Sequence, residues 1–327
     1  MRTTRGVIAL ALVAALAAAC SGGGAASPSA AASAAAPSVA PATDAPSAAA
    51  SEAPSVEPSP SADACATDTL AVKTPGTLTI GADNPAYPPY FATREGGNTP
   101  PWEDSDFTGD PTTGEGFESA VGYAIAEELG FAAEAVTWIP VPFVNSYAPG
   151  PKDFDIYLSQ VSAKPERAEA ADLSDGYYDV LQSVVGLKDT PIASATTITA
   201  LKDFTFGAQV GTTSYDTIVE VIQPTNDPQV FDTNDLAVKA LKNGQIDGIV
   251  VDLPTADFVT NVQVPKAVAV GKFDTGTDEH FSAVLEKGSA LTPCVDAAIA
   301  ALQEAGTLDA LVDEHLPFQD QVPVFAP

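Results

Sequence analysis

The sequence predicts an α/β fold with largely parallel sheets. Beyond residue 64, apolar β-rich runs alternate with alanine-rich helical stretches, the pattern of strand followed by crossover helix. Roughly 260 residues carry this pattern, enough for one large or two smaller domains. Ahead of it lies a segment of a different composition that has no such alternation.

The elements follow in chain order. Arg2 and Arg5 form a positive start, and residues 7–19 an apolar run too short for a permanent membrane span; together they read as a secretory signal. Residues 21–64 are almost entirely Ser, Ala, Pro and Gly and cannot bury enough apolar surface to fold. As a flexible tether they reach roughly 35–40 Å. Leu78-Thr79-Ile80 then predicts a strand and residues 120–129 a helix, residues 204–210 a strand and 215–222 a helix, and residues 246–251 a further strand. The chain carries 43 acidic against 14 basic side chains, net −29, a field that repels nucleic acid and anionic lipid.

Beyond the leader only Arg94 and Arg167 are arginines. A guanidinium offers a rigid fork of donors that matches a carboxylate, which makes Arg167 a candidate anchor for a small acid, a surface salt bridge being the alternative. Gly211-Thr212-Thr213 follows a predicted strand and precedes a helix, so Thr212 or Thr213 takes the N-cap, where backbone donors point at an anion. Asp252 ends the run Ile249-Val250-Val251, at the strand end where open α/β sheets bind ligands, although it could also cap the next helix. Tyr87 and Tyr90 flank Pro88-Pro89, a stiff turn.

Asp104, Asp106, Thr108, Gly109 and Glu115 have the spacing of a calcium loop. Pro100 and Pro101 leave no ordinary entering helix, so no metal site is assigned. No cofactor is expected either, since there is no Cys-x-x-Cys and no Cys/His cluster.

The segment Ser162-Ala163-Lys164-Pro165-Glu166-Arg167, continued by Asp172-Leu173-Ser174-Asp175-Gly176-Tyr177-Tyr178, resembles the family 3 extracellular solute-binding proteins, which receive amino acids for ABC importers. Residues 81–91 (GADNPAYPPYF), 116–130 (GFESAVGYAIAEELG), 211–216 (GTTSYD) and 240–252 (ALKNGQIDGIVVD) resemble that family in the same order. With Gly306-Thr307-Leu308-Asp309 the resemblance spans roughly residues 75–317.

The resemblance implies a two-lobed type II periplasmic-binding-protein fold with two crossing hinge strands, near residues 186–190 and 270–275. Lobe one would hold residues 65–186 and 276–327, and lobe two residues 187–275. It assigns Arg167 and Thr213 to the carboxylate of an amino-acid ligand, Asp252 and Ser162 to its ammonium, and Tyr87 to a cover over its side chain, with Phe143 the opposite wall. Glu118 takes a place where relatives carry Asp, facing the distal pocket or capping the helix. Arg94 either turns into the cleft or stays in a solvated loop, and residues 93–115 are longer than the family leads one to expect.

Residues 1–19 also look like a bacterial lipoprotein signal, with Cys20 lipidated and residues 20–64 as the tether. Leu16 stands one place earlier than usual before the cysteine, where Ala17 is found. Cys65 and Cys294 then remain as a pair in an oxidising compartment and are expected to form a disulfide, two free thiols being the alternative. The expected partners are an amino acid, an ABC permease and, through the lipid, the outer face of the cell membrane, with no nucleic acid. The same residues serve a ligand-sensing module for a membrane partner. A dehydratase on this fold needs an acid or base in the cleft, and His280 and His315 lie outside the matching motifs.

Overall fold

The computed structural model describes residues 65–274, 279–316 and 321–327. The expected signal, Cys20 and the tether therefore lie outside the described residues, as does part of the second crossing. Within the described residues the strands are β1 (Leu78–Ala82), β2 (Val136–Pro140), β3 (Ile156–Tyr157), β4 (Ala171–Asp179), β5 (Gln182–Leu187), β6 (Phe206–Gln209), β7 (Gln229–Phe231), β8 (Gly248–Asp252), β9 (Ala267–Lys272) and β10 (His280–Glu286). The helices are α1 (Phe117–Glu128), α2 (Phe143–Ser146), α3 (Pro165–Ala170), α4 (Thr213–Asp216), α5 (Asn234–Lys242), α6 (Leu253–Phe258), α7 (Thr292–Glu304) and α8 (Thr307–His315).

Two five-stranded sheets define two lobes. The first has the order β2-β1-β3-β10-β4 and the second β7-β6-β8-β5-β9. Both are mixed rather than largely parallel. β1 runs parallel to β2 and β3 while β10 runs antiparallel to β3 and β4. In the second sheet β5 opposes β8 and β9. The strands antiparallel to their neighbours, β5 and β10, are those that follow the two changes of sheet.

Helices cover both faces, which is why β1 and β8 are nearly continuous apolar runs. In lobe one, α1 presents Phe117, Val121 and Ile125 to a core shared with Trp138, Val295 and Ile299. A disulfide joins Cys65 to Cys294 on α7, with the Cα atoms 5.5 Å apart. Among the described residues no helix is long and apolar enough to cross a membrane.

The lobe boundaries differ from the sequence reading in two places. The first change of sheet falls between Asp179 and Gln182, so β5, including Gly186, belongs to the second lobe. Sequence does not mark this point, because Tyr177 to Leu187 is extended and has no proline near the change.

The second correction concerns the last residues, which were expected on lobe one. Residues 321–327 instead lie along lobe two, where Phe325 N donates to Lys272 O at 3.0 Å and Ile198 N to Ala326 O at 2.8 Å. The Phe325 ring packs 5.1 Å from that of Phe273. It occupies the place a side chain at Gly271 would need, 2.6 Å from an added Cβ.

Candidate functional site

Residues from both lobes converge beyond the strand ends. Arg167 sits in α3, a helix opened by Pro165 at its first turn. It is 5% exposed. Its Nη1 donates to Ser162 O at 2.5 Å and its Nη2 to Gly211 O, across the lobes, at 2.8 Å. The guanidinium carbon lies 4.7 Å from the Tyr147 ring centre and 5.4 Å from that of Phe143, a desolvated cation–π setting. Gly211 has φ +74°, and an added Cβ would meet the Tyr147 hydroxyl at 2.7 Å. Only glycine fits this close approach.

Immediately after Gly211, Thr212 is the N-cap of α4, its Oγ1 accepting from Tyr215 N at 3.2 Å. That leaves Thr213 free to face the cleft, where its hydroxyl lies 3.4 Å from that of Ser162. Asp252 occupies the N-cap position of α6 but makes no side-chain cap. Its carboxylate instead accepts from Gln182 Nε2 at 2.7 Å. Burial, and then the neighbouring charge of Glu279, push Asp252 up to about 8.

Asp83 follows β1 and lines the same cleft. Its Oδ1 accepts from Asn84 N at 2.9 Å and Phe143 N at 3.2 Å. Burial raises its pKa, opposed by these bonds and by one from Gln209 of lobe two. Gln209 is itself oriented by Asn234 N, 3.1 Å from its Oε1. The cavity so formed is lined by Asp83, Tyr87, Phe143, Arg167, Thr212, Thr213 and Asp252, among others.

Tyr90 and Glu118 lie behind this cavity. Tyr90 is fully buried, with its hydroxyl 3.3 Å from that of Thr255 on lobe two. Glu118 is buried too, and α1 begins without a side-chain cap, so neither sequence alternative describes it. Its carboxylate accepts from Gln160 N at 2.7 Å and Tyr177 Oη at 2.5 Å, and it also binds the Gln160 side chain. Burial, only partly offset by these bonds, pushes Glu118 up to about 7. It thereby holds Gln160, a cavity-lining residue with φ +52°, in a backbone conformation that is costly away from a functional site.

Asp83, Ser159, Gln160, Gln209 and Asn234 line the cavity and were missed in the sequence. Asp83 stands in the GADNPAYPPYF segment, but one Asp after a strand reads equally as a cap. Arg94 stays out of the cleft, its Nε donating to buried Asp110 at 2.7 Å and its Nη2 to Thr112 Oγ1 at 2.7 Å. The calcium-like spacing is absorbed in the same loop. Asp104 Oδ1 accepts from Asn98 N at 3.0 Å, and Thr108 Oγ1 donates to Glu103 O at 2.7 Å. Among the described residues no group of three or more His, Cys, Asp or Glu could hold a metal ion.

The model of the bacterial extracellular solute-binding proteins, family 3, matches residues 92–318, and the chain belongs to that family. A probable histidine-binding protein of Neisseria gonorrhoeae is 27% identical over 263 residues, 78% of this chain and 94% of the relative. The arginine-binding extracellular protein ArtP of Bacillus subtilis (strain 168) is 26% identical over 201 residues, 60% of this chain and 75% of the relative. Among solved structures, an ancestral arginine-binding protein bound to glutamine superposes with a TM-score of 0.60 at 24% identity. It covers 74% of this chain and 99% of that one. Two mixed sheets with helices on both faces are thus the two-lobed architecture of this family.

Proposed function

We propose that the protein is an extracytoplasmic, lipid-anchored receptor that closes its lobes on a cationic amino acid and delivers it to an ABC importer. One observation carries the reading: Arg167 of lobe one and Thr213 and Asp252 of lobe two face a single cavity that Asp83 also lines. Arg167 and Thr213 take the carboxylate, a charge-assisted pairing of the strongest kind. Asp252 takes the α-ammonium, while Tyr87 and Phe143 exclude water and so strengthen both. Asp83 is then left for a positive side chain. The histidine- and arginine-binding names of the two relatives agree with this class.

The cavity measures about 30 Å³, the size of a water molecule or two, so an amino acid enters by separation of the lobes. A ligand that contacts both lobes favours the closed form by its differential affinity. A thermal-shift screen of the twenty amino acids and simple organic acids tests the reading, since a ligand of the native state raises the melting temperature. Hits among arginine, lysine and histidine support it. A hit confined to organic acids contradicts it, and turnover of a prephenate-like compound would move the protein to the dehydratase class. Mass spectrometry of the membrane-extracted chain tests the anchor, with a diacylglyceryl group on Cys20 expected.

A further inference from the structure

Gln182, 3% exposed at the start of β5, ties two acids together. Its Oε1 accepts from Ser214 Oγ at 2.7 Å, which fixes the orientation of the amide. Its Nε2 therefore donates towards Asp252 Oδ1 at 2.7 Å, Glu279 Oε1 at 3.2 Å and Thr213 Oγ1 at 3.3 Å. The same Glu279 oxygen accepts from Ser162 Oγ at 2.7 Å, and Ser162 faces Thr213 across the lobes. Glu279 immediately precedes β10, and Gln182 opens β5, so each lobe crossing contributes one member.

Two carboxylates that share one amide nitrogen cannot be farther apart than the two bonds laid end to end. At such a distance like charges disfavour double ionisation. An ammonium has three N–H donors and one positive charge, and it answers both groups at once.

Resting on the receptor reading above, we infer that Glu279 is a second carboxylate of the ammonium end, and that the cargo's ammonium displaces to solvent a proton held on Asp252 beside it. The charged and titratable groups around the pair are Arg167 beside Ser162, Glu118 behind Asp252, the Tyr90 and Tyr178 phenols, and the Lys164–Asp216 ion pair between the lobes. Desolvation, and then Glu279, keep Asp252 protonated at neutral pH until the ammonium arrives. Specificity follows: a primary ammonium is demanded more stringently than a single carboxylate would demand it, and affinity rises with pH until Asp252 is ionised.

Calorimetric titration of the protein in buffers of different ionisation enthalpy counts the protons. The probes are L-arginine and 5-guanidinopentanoate, which is arginine without its α-amino group. Wild-type protein is expected to release close to one proton per arginine at pH 6.5 and none with the analogue, with arginine affinity rising up to roughly tenfold per pH unit below about pH 8. Glu279→Gln, which keeps an acceptor for Ser162, is expected to release fewer protons and to bind arginine roughly tenfold more weakly at pH 8. Its affinity for the analogue is expected to be unchanged.

Arginine binding without proton release, or a Glu279→Gln protein that matches wild type, overturns this inference and leaves the receptor reading in place. Wild-type protein that binds none of arginine, lysine and histidine overturns both. The wild-type proton count decides the matter by itself should Glu279→Gln not fold.

Discussion

Arg167, rooted in lobe one, donates to the carbonyl of Gly211 on lobe two across 2.8 Å. The guanidinium that the sequence offers as an anchor for a ligand carboxylate is thus also a strut between the lobes. Replacing Arg167 with Ala is expected to cost roughly 2–5 kcal/mol of ligand affinity, because a carboxylate is left desolvated and unpaired. Arg167→Lys is expected to restore only part, since a point charge cannot reproduce the fork. Titration of both variants checks this, and unchanged affinity in Arg167→Ala would remove the residue from the site.

Asp83 sets side-chain selectivity in this account. Asp83→Asn keeps an acceptor for Asn84 N and Phe143 N but removes the charge. Affinity for arginine or lysine is expected to fall by roughly 1.5–3 kcal/mol, the worth of a hydrogen bond to a charged group. A neutral ligand such as glutamine is expected to lose little. Equal losses for the two classes would show that Asp83 acts on the fold rather than on the cargo.

Asp252→Asn separates the two ends of the ligand. It is expected to weaken amino acids far more than carboxylic acids of the same skeleton, because only the former bring an ammonium. Parallel titrations of arginine and 5-guanidinopentanoate make the comparison, with equal losses contradicting the ammonium role.

Much of this site was legible in the chain. Arg167, Thr213 and Asp252 stand where chemistry and strand ends coincide, and a scarce arginine is conspicuous in a chain of net charge −29. Gln182 and Glu279 were not legible, being 97 residues apart and joined only by the return of the chain between the lobes. Tyr90 beside its proline turn and Glu118, facing the pocket or capping a helix, carry no sequence sign of their depth; burial puts both one layer behind the cavity. The docking of Phe325 on lobe two depends on a hole above Gly271, a relationship between residues that no local pattern contains.

Protonation couples the site to stability. The folded-state pKa of Asp252 is raised from 3.8 to about 8 and that of Glu118 from 4.5 to about 7, burial being the largest cause for each. The folded protein therefore holds more protons than the unfolded chain between about pH 4 and pH 8, so their contribution is full below about pH 4 and is lost as pH rises to 8. The ligand-free melting temperature is expected to fall from pH 5 to pH 8, and Glu118→Gln to flatten part of that slope. Asp110 behaves oppositely: burial raises it, but hydrogen bonds from Thr112 and Arg94 bring it down to about 2. Its contribution is lost as pH falls through that value. Differential scanning calorimetry across the range checks both signs.

The disulfide closes a loop of 229 residues. In the chain-entropy model this corresponds to roughly 5 kcal/mol of stabilisation. Reduction, or the double change Cys65→Ser and Cys294→Ser, is expected to lower the denaturation midpoint while leaving ligand affinity intact, because the bond lies in lobe one, away from the cleft. A denaturant midpoint unchanged by reductant would show that the link contributes nothing.

The most direct test of the central claim is a calorimetric titration of the purified protein with L-arginine, L-lysine and L-histidine, set against L-glutamate and 5-guanidinopentanoate. Saturable one-to-one binding is expected for at least one cationic amino acid, with far weaker binding of both controls. Tighter binding of glutamate, or of the analogue that lacks the ammonium, would contradict the assignment of Asp83 or of Asp252 and with it the cationic amino-acid receptor.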